Sequence, residues 1–88
     1  MEHSYKDHKK RLRARYWQDG LAGFHNYEVL ELILSYSIIQ KDTKELAKIL
    51  INEFGSLIGV INAPPEKLKE FKGINERTVV LLKLYRDT

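Results

Sequence analysis

Cysteine is missing from this sequence altogether. A disulfide framework is thereby excluded, as is any zinc site built on thiolates. Long apolar runs are missing too: a membrane-spanning helix needs roughly 18 to 20 consecutive apolar residues, and no stretch approaches that. The opening, Met1 to Arg15, is polar and basic, unlike a secretory signal with its apolar core. A cytoplasmic protein is the expectation, and a reducing compartment suits the lack of cysteine. The three histidines (His3, His8 and His25) are scattered, with neither a His-x-His nor a His-Glu-x-x-His spacing. Nucleophile elbow, phosphate-binding glycine loop and a definable acid–base pair are all wanting. The sequence thus predicts no metal, no cofactor and no enzymatic activity. Strict apolar–polar alternation is absent as well, and glycine and proline fall at joints, so the fold class is all-α.

What remains is one small domain, residues 1–88, with 43% hydrophobic residues for a single core and 31% charged residues for its surface. The net charge of +3 is unevenly spread. Residues 1–19 hold six cations against three acids, residues 20–62 three against five, and residues 63–88 six against four. Basic ends around an acidic middle permit a polyanionic partner.

Helical periodicity divides the chain. A basic N-terminal helix over 1–19 turns Tyr5, His8, Leu12 and Tyr16 inward, with Trp17 beside them, and stops at Asp19-Gly20. A central helix starts from Asn26 as N-cap and runs through Val29, Leu30, Leu32, Ile33, Leu34 and Tyr36. Asp42 with Glu45 reads as a capping box for a helix whose core face is Leu46, Ala47, Ile49, Leu50 and Phe54, ending at Gly55. Ser56 caps a brief connector over 56–61. Pro65 opens a two-turn helix, Gly73-Ile74-Asn75 turns the chain, and a last helix buries Val79, Val80, Leu82 and Leu84. The helical pairs at 26–54 and 65–86, joined by that connector, predict a tandem helix-hairpin-helix domain preceded by the basic helix.

Two segments could carry function. In Lys72-Gly73-Ile74-Asn75-Glu76-Arg77, a tight turn meets a helix N-terminus, where outward N–H groups and the dipole suit a phosphate. The bland alternative is a plain joint, with Asn75 capping the helix and Glu76 repelling an anion. Along the first helix, Lys6, Lys9, Lys10 and Arg13 share a face with Arg11 and Arg15 on its flank. Each could touch a phosphate or simply remain solvated. The expected DNA phosphate-binding set is therefore Lys72, Gly73, Ile74, Asn75 and Arg77 with Lys9, Lys10, Arg11, Arg13 and Arg15. His8 reads as packed, and Trp17 and the tyrosines as core or rim.

Four motifs in order then resemble the N-terminal domain of the bacterial RadC family. His8 to Tyr16 is similar to its His-Arg-x-Arg-Leu-Arg-x-Arg-Phe opening, and Asn26 to Leu34 to its Asp-Tyr-Glu-Leu-Leu-Glu-Leu-Leu-Leu helix. Lys41-Asp42, Leu46-Ala47-Lys48 and Phe54-Gly55-Ser56-Leu57 continue the likeness, and Gly73-Ile74-Asn75 stands at the family's Gly-Ile-Gly turn. Departures are Asn75 for glycine, Pro64 for a serine cap and Ile39 for proline. The resemblance implies a helix-hairpin-helix fold, a DNA repair-associated role and, by fold analogy, docking on duplex or branched DNA. It also implies a C-terminal JAB/MPN-like metalloprotease domain as neighbour, whose glutamate and His-x-His zinc motif are not in this sequence. The alternative function is a protein-interaction or dimerisation module serving that domain.

Overall fold

Six helices follow one another in residues 5–88, the part that the computed structural model describes: α1 (Tyr5–Asp19), α2 (Asn26–Ser35), α3 (Lys44–Phe54), α4 (Leu57–Ile61), α5 (Pro65–Lys69) and α6 (Glu76–Asp87). No strand occurs among them, so the all-α class stands. None of these helices is long and apolar enough to cross a membrane. Among the described residues no group of three His, Asp or Glu side chains could hold a metal. Residues 1–4 and the Tyr5 side chain of the expected inward stripe lie outside the described part.

Helix α2 is the centre. It packs against α1, α3, α4 and α6. Leu30 and Leu34 are fully buried there, against Ala47 and Leu50 of α3, Val60 of α4, Leu68 of α5 and Leu82 of α6. Each such side chain withdrawn from water stabilises the fold by roughly 1.5–3 kcal/mol. Leu12 attaches α1 to the opposite side of α2.

The helix ends show where local chemistry sets the boundaries. Ser56 Oγ accepts from Gly59 N–H at 2.9 Å and Asn75 Oδ1 from Thr78 N–H at 3.1 Å, so both residues cap as their types suggest. Gly55 ends α3 with a φ of 88°, the left-handed conformation that glycine takes without strain. Two caps differ from expectation. Asn26 is the first helical residue of α2, because Glu28 reaches back one position further to the His25 N–H, 3.0 Å away. The capping box of Asp42 and Glu45 does not form: Asp42 accepts from Lys44 N–H, and Thr43, buried and donating to the Glu31 carbonyl, takes the cap position.

Several apolar positions also differ. Ile49, Val80 and Leu84 were expected in the core and are about half exposed, as is Tyr16. Trp17 is 90% exposed. Glycine is not confined to joints either. Gly59 lies inside α4, and a Cβ there would clash with the Phe54 carbonyl oxygen, a contact that only a backbone shift could relieve.

Where α1 meets α2, a carboxylate has been taken out of water. Glu31 is fully buried, with Oε2 2.5 Å from His8 Nε2, while Oε1 makes no hydrogen bond among the described residues. Burial raises the Glu31 pKa, against the opposing pull of His8. The native state therefore keeps this proton above the ordinary carboxylate range, and the group's contribution to stability is lost as pH rises through its raised pKa.

Two outcomes follow for urea unfolding. Gly59→Ala lowers stability by about 1–3 kcal/mol. Glu31→Gln becomes more stable relative to the parent chain as pH rises above the ordinary carboxylate range, because the variant lacks the proton that the parent gives up. A difference that is flat or falling with pH contradicts that account.

Candidate functional site

The α2–α3 connection and the α5–α6 turn lie side by side. Between them opens a cleft of about 510 Å³ lined by residues 37–41 from the first and by Gly73, Ile74, Asn75 and Arg77 from the second. Each wall has its own support. Gly73, with a φ of 95°, folds the α5–α6 turn back, and Ile74 anchors it by burying its side chain in the core. Asn75 has an extended φ of −118°, and its side chain caps α6 as its type suggests. Thr78 closes the gap between the walls: its hydroxyl lies 3.1 Å from Ser37 Oγ and 3.3 Å from Asn75 Oδ1.

The other wall is held from α1. Lys9 is 5% exposed, and its ammonium donates to the carbonyls of Ile38 at 2.6 Å and Ile39 at 3.3 Å. Burial lowers its pKa, with Asp42 pulling back towards the charged form. The expectation that Lys9 lies on a solvent face is thus corrected. One turn of helix places it beside Leu12 on the inner side of α1, where it satisfies carbonyls of the loop that follows α2. Lys9 positions the cleft wall and does not reach into the cleft.

Arg15 is likewise committed within the protein. Its guanidinium makes a two-pronged contact with Glu28 at 3.0 and 3.3 Å, donates to the Gly23 carbonyl at 3.4 Å and covers the Phe24 ring at 4.5 Å. The pairing holds the Glu28 carboxyl below its ordinary range. A phosphate would have to displace all three partners.

The remaining expected ligands divide among surfaces. Arg77 lines the cleft, while Lys72 is exposed beside its turn. Lys10 and Arg13 stand on the outer face of α1 around Trp17, one and two turns apart, and Arg11 lies on the other side near His8. Lys10, Arg11, Arg13, Lys72 and Arg77 are exposed and make no hydrogen bond or ion pair among the described residues. Sequence reasoning missed Lys41 and Gln40. Their signal was the repetition of a helical pair, since residues 37–41 lie in the joint of the first pair as 73–75 lie in that of the second. Among the described residues no acidic side chain lines the cleft, Glu76 included.

The chain is similar to two UPF0758 proteins. It is 44% identical over 79 residues to one from Ruegeria pomeroyi and 41% identical over 83 residues to one from Fusobacterium nucleatum, covering 90% and 94% of this chain. It spans about a third of the length of these curated relatives, 35% and 36%. No family model matches it. No solved structure matches it either.

Lys9→Met keeps the apolar stem and removes the donor. Such a change costs about 1–3 kcal/mol in urea unfolding, and amide exchange at Ser37 to Lys41 accelerates ahead of exchange in α6. Unchanged exchange in this loop would remove Lys9 from its positioning role.

Proposed function

We propose that this chain is a non-catalytic, RadC-like module that docks on the sugar–phosphate backbone of duplex or branched DNA without reading its bases. The observation that carries this reading is the charge of the cleft. Two helix-joining turns face one another, and the charged side chains that line the space between them are Lys41 and Arg77, both cations. A phosphate seated there would meet two positive charges and the exposed start of α6. The paired turns also fit a tandem helix-hairpin-helix arrangement, with Ser37 and Thr78 joining the two halves. Lys10 and Arg13 supply a second, weaker contact from α1. In this reading the module serves a JAB/MPN-like neighbour, for which the further length of the relatives leaves room.

Phosphate contacts exchange protein cations for condensed counterions, so affinity falls with salt by about 0.9 logarithmic units per tenfold change for each contact. A titration of the chain with a short duplex, followed by backbone amide shifts at two salt concentrations, is the direct test. Shifts are expected at Lys41 and at Gly73 to Arg77, shrinking at the higher salt. Lys41→Glu with Arg77→Glu lowers the salt slope by about 2. No shifts at low salt would end the phosphate-docking reading.

A further inference from the structure

A second surface is apolar and adjoins the first. Three neighbouring depressions of about 470, 330 and 660 Å³ share one residue, Tyr36, at the end of α2. Their floor is Val29 and Leu32 of α2, and one wall is a stripe of α6 formed by Val80, Leu81 and Leu84. Val80 and Leu84 are the residues that periodicity assigned to the core. The core side of α6 is already filled by Val79 and Leu82, so the helix is apolar on two sides and only one is covered. An open apolar face of this extent on a small domain marks an interaction site more often than an accident of composition.

We propose that this groove docks an amphipathic helix of a partner protein whose apolar stripe is flanked by acidic residues. Shape sets the first half of that description. From Arg77 to Leu84 the wall runs seven residues, about 10 Å at 1.5 Å per residue, or two turns of helix. A ligand helix would fill it with apolar residues at i, i+3 or i+4, and i+7. Charge sets the second half. Arg77 stands at one edge, and Lys10 and Arg13 stand at the other beside Tyr36. Among the described residues no acidic one lines any of the three depressions. All three cations are exposed and lack an ionic partner among the described residues, so an acidic flank gains attraction and disturbs no existing pair. A second copy fits poorly, since pairing two such faces about a twofold axis would bring the cationic edges together. A single nucleic-acid strand is the rival occupant, since Tyr16, Trp17, Tyr36 and Tyr85 also line these depressions and bases stack on such rings. The aliphatic stripe of Val80, Leu81 and Leu84 offers a strand nothing, whereas an amphipathic helix covers stripe and rings together.

The test is selection from a display library of helical peptides, randomised at their surface positions, against the 88-residue chain. The strongest peptide is then synthesised and titrated. The expected winners carry apolar residues at i, i+3 or i+4, and i+7 between acidic flanks, and they shift the amides of Leu32, Tyr36, Val80 and Leu84. Leu84→Asp, an exposed position, weakens the peptide by about tenfold or more. Lys41→Glu, which weakens phosphate docking at the cleft, changes it by less than about twofold. The two readings therefore fail separately. Absence of helical winners, basic flanks, or shifts that map elsewhere would overturn the proposal. So would self-association of the free chain that Leu84→Asp dissolves, or a single-stranded oligonucleotide shifting the same amides.

Discussion

Short helices end often, and every end leaves carbonyls that need donors. Two lysines answer that need from a distance. Lys9 reaches from α1 to the carbonyls of Ile38 and Ile39, in the loop after α2, and Lys83 reaches from α6 to those of Ile61, the last residue of α4, and Ala63 beyond it. Burial pushes the pKa of both ammonium groups down, which measures how much hydration each has given up for these contacts. The arrangement ties the first helix to the loop after the second, and the last helix to the loop after the fourth. Without these cross-links the loop after α2 would lose its polar tie to α1, and the loop after α4 its polar tie to α6.

Helix α1 shows what this constraint does to an amphipathic pattern. Its inner side carries Leu12 but also Lys9 and His8, with His8 set against the buried Glu31. Its outer side carries Trp17 among Lys10 and Arg13. Polar groups inside are bound to carbonyls and a carboxylate, and an indole outside borders an unfilled groove. α1 therefore does little for the main core. It acts as a clamp on α2, fastened by Lys9 at one end and by the pairing of Arg15 with Glu28 at the other.

This inversion explains which parts of the molecule were legible in the sequence. The joints were: Gly55, Ser56, Pro65 and Asn75 act locally, through conformations or hydrogen bonds within one turn, and each does what its side chain is suited to do. The role of Lys9 was not, because a lysine between other cations reads as hydrated until the carbonyl it serves, 29 residues away, is brought beside it. Val80 and Leu84 misled for a related reason. A second apolar side of α6 has the same period as a core face, and only the packing tells which is covered. Gly59 was overlooked since its constraint is space beside Phe54 rather than an unusual φ. Of the cleft, the wall at Gly73 to Arg77 was visible from its turn motif. Lys41 required the two helical pairs to be placed against each other.

The exposure of Trp17 has an optical consequence. It is the sole tryptophan, and its indole is already bathed in water in the native protein. Its emission should therefore lie at long wavelength before any denaturant is added, so intrinsic fluorescence is nearly blind to unfolding, and circular dichroism has to follow it. The same residue borders the groove around Tyr36. A molecule settling there would strip water from the ring and move the emission to the blue, so the folded protein carries a built-in reporter for occupancy of that face.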